Sequence, residues 1–198
     1  MQVLKERVRN TILSSARSEF REKGFKNSSM REIARGAGVT AGNLYRYFEN
    51  KEELFCTVVG PAYKMIVDLV EEVKEVSFNV SPQYPVFMEE ITHRIVDIYR
   101  NNREELLILV KGSQGTRFEK AKENVVLLLE KKLRDILGEH LQKKNKGLED
   151  DYLFYVIAYG FIEGLIIILE RFEEEEKMNS LIGQYICFNF KNIWERFG

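Results

Sequence analysis

Between Thr40 and Lys51 the chain reads TAGNLYRYFENK, a run in which hydrogen-bonding side chains outnumber those that build a core. Asparagine meets the edge of an adenine in two places and arginine does the same for guanine, so Asn43 and Arg46 suit base recognition. A threonine such as Thr40 reads a base edge with its hydroxyl or a thymine with its methyl. Tyrosine hydroxyls, the Lys51 ammonium, capping serines and backbone N–H groups at helix starts suit phosphate oxygens. The chemistry is that of double-stranded DNA recognition.

Catalytic chemistry finds little support. His93 and His140 fall on separate predicted helices, and neither belongs to a His-Glu-x-x-His pair. The chain has no Gly-x-x-x-x-Gly-Lys-Ser/Thr loop, no Gly-x-Ser-x-Gly elbow and no cluster with metal-ligand spacing. No enzyme, cofactor or metal is expected. Cys56 and Cys187 lie far apart in apolar segments and read as buried free thiols in a reducing cytoplasm.

The elements that must position the recognition residues are helices. Val8, Ile12, Ala16 and Phe20 recur every fourth residue and give the first helix one buried stripe. Gly24 ends it as a C-terminal cap, with Phe25 placed to fold back over the last turn. Ser29-Met-Arg-Glu32 has capping-box spacing and starts a short helix that buries Met30, Ile33 and Ala34. Gly38 supplies a positive φ in a tight turn. Thr40 caps a third helix over Thr40–Phe48, and Asn50 caps a fourth that kinks at Gly60-Pro61 on its way to Val76. On the third helix Val39, Leu44 and Phe48 point inward, Gly42, Asn43, Arg46 and Tyr47 point outward, and Tyr45 sits at the edge. Two short helices joined by a glycine turn, the second leading with small residues, form a helix-turn-helix whose second helix enters the major groove N-terminus first.

Further helices are expected near 85–101, 103–112, 116–144, 149–172 and 177–197, and the class is all-α. Residues 1–55 hold eleven basic and seven acidic side chains, a net of +4 within a chain of net charge −1. That asymmetry favours an anionic partner for the N-terminus. The most apolar segment, residues 152–169, holds Glu163 mid-run and reads as the centre of a helical bundle rather than a membrane span. A soluble, cytoplasmic chain is expected.

The segment SSMREIARGAGVTAGNLYRYFENKEELF, Ser28 to Phe55, resembles the DNA-binding domain of the TetR family of bacterial transcriptional repressors. The Ser cap, the Ile-Ala pair, Ala-Gly-Val, the Tyr-x-Tyr-Phe block and Lys-x-x-Leu carry the likeness, with REKGF before them. The resemblance implies phosphate contacts from Ser28 or Ser29, Tyr45, Tyr47 and Lys51, and base contacts from Thr40, Ala41, Gly42, Asn43 and Arg46. Ala-Gly-Asn at 41–43 departs from the Lys or Ser/Thr common there, and leaves the operator open. Gly36 stands where a better helix former is usual, at a cost of about 1 kcal/mol.

The same resemblance implies a helix-turn-helix DNA-binding domain over residues 1–52 and a helical effector-binding and dimerisation domain over 53–198. A homodimer would pack the last two helices of each copy through Ala158, Gly160, Gly164, Ile182, Tyr185 and Ile186, the alternative being burial of these residues within one subunit. An effector pocket would draw on Met65, Phe87, Met88, Ile91, Tyr99, Phe118, Tyr152, Tyr155, Tyr159 and Glu163 and hold a small hydrophobic molecule. A packed core fits the same list. Glu163 would meet an effector cation, or His93, an arginine or water. The function expected is a ligand-responsive regulator that binds a pseudo-palindromic operator as a homodimer. The alternatives are a DNA-binding protein without an effector and a protein-binding helical adaptor.

Overall fold

The computed structural model describes residues 2–73, 84–143, 150–191 and 193. Eight α-helices and no strand occur among them: α1 Gln2–Asn27, α2 Met30–Gly36, α3 Ala41–Leu44, α4 Lys51–Glu71, α5 Tyr84–Lys111, α6 Ala121–Lys143, α7 Tyr152–Arg171 and α8 Glu175–Phe190. The fold is all-α. Two stops lie inside helices as drawn: Gly24 at φ 67° and Asn102 at φ −133° interrupt α1 and α5 with non-helical backbone. The predicted break at Gly24 and the division of 85–112 near residue 102 are therefore real breaks. Helix α4 continues through Gly60 and carries Pro61 inside it.

The chain packs as two compact units, Met1–Met65 with Asn102–Lys122, and Ile66–Asn101 with Glu123–Gly198. In the first unit the stripe Ile12, Ala16 and Phe20 of α1 is fully buried against Ile33 and Ala34 of α2, Leu44 of α3 and Leu54, Phe55 and Val59 of α4. Each of the larger apolar side chains among them contributes roughly 1.5–3 kcal/mol by leaving water, and the alanines less. Phe55 is the centre of an aromatic group, with ring centroids 5.0 Å from Phe20, 5.3 Å from Phe25 and 6.4 Å from Phe118. Gly24 and Gly112 let two backbones cross: a Cβ on Gly24 would lie 3.4 Å from the Gly112 Cα, and the Phe25 N–H donates to the Gly112 carbonyl at 2.8 Å. Gly36 has a packing reason of its own. A Cβ there would come within 2.4 Å of the Ser15 hydroxyl, which donates to the Ile33 carbonyl at 2.9 Å.

In the second unit Phe154, Ala158, Phe161 and Leu165 of α7 and Met178, Ile182, Ile186 and Phe190 of α8 are buried. The Tyr185 ring stacks on Phe161 with centroids 5.3 Å apart, and its hydroxyl donates to the Gly160 carbonyl at 2.9 Å. Gly164 is required by that ring, since a Cβ there would fall 2.4 Å from the Tyr185 Cζ. Burial pushes the Tyr185 phenol above its ordinary value. Arg134 donates to Asp151 at 2.6 Å and Glu130 at 2.7 Å, and Arg100 to Glu175 at 2.7 Å.

Helix α7 differs from the all-round buried bundle centre expected of it. By length and composition it could cross a membrane, and only 22% of that apolar window is buried inside the protein. Val156, Tyr159 and Ile167 face outward along it, as does Phe188 of α8, which is 74% exposed.

Candidate nucleic-acid interface

The recognition segment is set by caps at both ends. The Ser29 hydroxyl oxygen accepts the Arg31 N–H at 3.2 Å and starts α2. The reciprocal half of the capping box comes from elsewhere: Glu19 of α1 accepts the Ser29 N–H at 3.2 Å, while Glu32 pairs with Arg35. Gly38 takes φ 66° and lets the Val39 N–H return to the Ala34 carbonyl at 3.0 Å, which closes the turn. The Thr40 hydroxyl oxygen accepts the Asn43 N–H at 3.1 Å and starts α3. The Asn50 side-chain oxygen accepts the Glu53 N–H at 2.8 Å at the start of α4.

Helix α3 is shorter than the sequence pattern suggests, and this rearranges its faces. Beyond Leu44 the bonds tighten, with the Arg46 N–H on the Asn43 carbonyl at 3.2 Å and the Tyr47 N–H on the Leu44 carbonyl at 2.9 Å. Three residues per turn eclipse side chains three apart. Tyr47 therefore follows Leu44 toward the core, where it is half-buried, and Tyr45 becomes the outer tyrosine at 52% exposure. The expected positions of the two tyrosines are exchanged. The same tightening places Arg46 over Asn43, so the two residues suited to reading bases share one side.

Of the other DNA-contact candidates, Thr40 and Gly42 are exposed, while Ala41 is half-buried and packs against the core. Gly42 has open space around it: a Cβ there would meet nothing within 4 Å. Ser28 is withdrawn from the surface, 7% exposed, and its hydroxyl donates to the Phe25 carbonyl at 2.7 Å. Ser29 is half-buried at the α2 start. Lys51 donates to the Phe25 carbonyl at 2.6 Å and the Ser28 carbonyl at 2.8 Å, and burial pushes its ammonium below the ordinary lysine value. It ties α4 to the loop before α2, a role that spacing could not reveal.

Some basic side chains of this unit are paired with carboxylates and others are not. Arg17 pairs with Glu105 at 2.7 Å, Arg21 with Glu104 at 2.6 Å, Lys23 with Glu19 at 3.0 Å, and Arg35 with Glu32. Arg9, Arg31 and Arg46 are exposed and pair with no carboxylate among the described residues. These three belong to the early turns of α1 and to the α2–α3 segment.

The residues proposed from sequence for other sites are more dispersed. Met65 and Phe118 belong to the first unit, where Phe118 is buried with its ring 5.3 Å from Tyr63. Tyr99 is buried and Ile91 half-buried in the second unit. Tyr152, Tyr155 and Tyr159 stack in succession along α7, with centroids 5.2 and 6.0 Å apart, and Tyr152 and Tyr159 are exposed; Glu163 follows one turn on, half-buried. The side chains of Phe87 and Met88 lie outside the described residues. Ala158, Ile182 and Ile186 are buried within the unit, Gly164 lies under Tyr185, and Gly160 faces outward.

Residues 12–57 match the model for bacterial regulatory proteins of the tetR family. The chain is 29% identical over 167 residues to an uncharacterised HTH-type transcriptional regulator of Haemophilus influenzae, covering 81% of this chain and 75% of that one. It is 43% identical over 55 residues to the HTH-type transcriptional repressor BepR of Brucella suis, a match spanning 28% of this chain and 26% of BepR. The TetR family regulator PfmR of Thermus thermophilus shares the fold, with a TM-score of 0.63 and 18% identity over 93% of this chain and 96% of PfmR. Family and relatives are those of a regulator and not of an enzyme. Residues 12–57 thus carry the helix-turn-helix of bacterial tetR-family regulators, and the chain as a whole shares the fold of such regulators.

Proposed function

We propose that the protein is a repressor in the cytoplasm that binds a pseudo-palindromic operator as a homodimer and leaves it when a small hydrophobic molecule binds. The observation that carries the DNA reading is the outer face of the recognition segment, where Thr40, Gly42, Tyr45 and Arg46 are exposed, with Asn43 half-buried among them and open space around Gly42. Residues 1–52 act as the DNA-binding domain and 53–198 as the effector and dimer domain. Tyr45 and Ser29 serve phosphate contacts, with Tyr47 and Lys51 behind them. Asn43 and Arg46 serve base contacts.

One such helix reads a few base pairs, and operator specificity calls for two, set about one DNA turn or more apart. The outward face of α7, with Val156, Gly160 and Ile167, together with the exposed Phe188 of α8, is the surface for a second copy. Gly160 has nothing within 4 Å of a Cβ, so close helix approach is available there. The effector reading rests on the tyrosine series of α7 with Tyr99, Ile91 and Glu163, aromatic walls carrying a few polar groups. Ligand and DNA then oppose each other reciprocally.

The test is DNA binding at two salt concentrations, using an operator selected in vitro and a random duplex. Asn43→Ala and Arg46→Ala should each relax preference at particular base pairs, costing roughly 1–3 kcal/mol on operator and far less on random DNA. Equal losses on both duplexes would remove the recognition-helix assignment. Salt-independent binding, or none, would favour a protein-binding adaptor.

A further inference from the structure

Arg9 lies on α1, far upstream of the recognition segment, and belongs to the group of cations without a carboxylate partner among the described residues. Its guanidinium carbon sits 5.6 Å from the centroid of the Phe48 ring. Phe48 is 2% exposed and directly follows Tyr45, Arg46 and Tyr47, so the ring that holds Arg9 is itself fixed in the core at the trailing end of the recognition segment. Stacking uses the face of a guanidinium and leaves its N–H donors in the plane, where they suit the paired oxygens of a phosphate. Of the arginines that follow it on α1, Arg17 is paired with Glu105 and Arg21 with Glu104.

We propose that Arg9 is a phosphate-contacting residue, held in place by Phe48, that extends the DNA footprint from the α2–α3 segment to the backbone flanking its trailing end. This rests on the DNA-binding reading above. The ring limits the positions open to a long side chain before DNA arrives, so less freedom is lost on contact. A phosphate contact carries no base information, and its signature is a uniform one.

The experiment measures binding of the full chain to selected operator and to random duplex across a salt series. Arg9→Gln should lower affinity for both duplexes by the same factor and reduce the slope of log K against log salt by about 0.9 per protomer. Arg9→Lys keeps the charge without the planar fork and should restore most of the slope. Arg171→Gln, the same charge change in the last turn of α7, should leave the slope as it is. Thermal unfolding of the Arg9 variants should match wild type. A slope unchanged in Arg9→Gln, or changed equally in Arg171→Gln, overturns the proposal while leaving the recognition helix intact. Loss on operator alone would make Arg9 a base reader and overturns it too. A wild type that binds neither duplex overturns the DNA reading and this proposal together.

Discussion

The ammonium of Lys51 stands 2.6 Å from the carbonyl oxygen of Phe25 and 4.4 Å from the centroid of its ring. One side chain at the start of α4 thus fixes the loop that leads into α2, through two carbonyl bonds and a ring contact. A lysine in that position holds the helix-turn-helix together before it meets any phosphate. Lys51→Ala should destabilise the protein by about 1–2 kcal/mol, since hydrogen bonds from charged donors are worth more than neutral ones but this group keeps some solvent. Urea denaturation without DNA reads this directly. A variant as stable as wild type would return Lys51 to the role of a simple surface cation.

Gly36 and Ser15 form a second close pair. On helix propensity alone Gly36→Ala should stabilise, by up to about 1 kcal/mol. Here the new methyl would displace a hydroxyl bonded to the Ile33 carbonyl, so the substitution should destabilise by roughly 1 kcal/mol. Adding Ser15→Ala removes the obstructing oxygen and leaves the nearest atom, the Ser15 Cβ, at 3.6 Å. The double variant should then be more stable than Ser15→Ala by itself. Additive effects in that cycle would show that the two positions do not touch.

Gly42 gives the opposite expectation. Nothing in the fold calls for glycine there: it is exposed, lacks a positive φ and has no neighbour within 4 Å of a Cβ. Gly42→Ala should stabilise the protein by roughly 0.5–1 kcal/mol and yet weaken operator binding. Unfolding and DNA-binding measurements on the same variant must move in opposite directions. Stronger DNA binding would mean that no surface approaches closely at residue 42.

The outward face of α7 yields an assembly prediction. Ile167→Glu should leave the protomer folded, because the side chain faces solvent in the single chain, and should produce a monomer by sedimentation velocity. Ile182 and Ile186 are unsuitable probes, being buried within the unit. If Ile167→Glu and Val156→Glu both sediment as wild type does, the α7 face is not the dimer surface.

The parts of the fold that could be read in the sequence were those fixed by neighbours along the chain. Gly24, Gly38, Thr40 and Asn50 each act within a few residues, so their turns and caps follow from residue type and spacing. Where a distant residue decides, spacing was silent. Glu19 took the capping place that Glu32 was expected to fill, and Ser15 explained a glycine that looked like a flaw. The two tyrosines exchanged places because a helical wheel assumes a constant turn per residue, whereas α3 tightens after Leu44. On α7 and α8 the apolar pattern marked what must leave water. It did not mark which side meets the subunit's own core, since Ile182 and Val156 look equally apolar in sequence.

The division of cations in the N-terminal unit has a consequence at the bench. The protein's sequence pI is about 6.2, so by its total charge it should pass through a cation-exchange or heparin column at neutral pH. Retention by a matrix depends on the local field it meets rather than on the sum over the chain. Arg17, Arg21, Lys23 and Arg35 are neutralised by partners inside the fold, whereas Arg9, Arg31 and Arg46 are left to attract a polyanion. The protein should therefore stay on heparin above its own isoelectric point and carry nucleic acid through early purification until salt strips it.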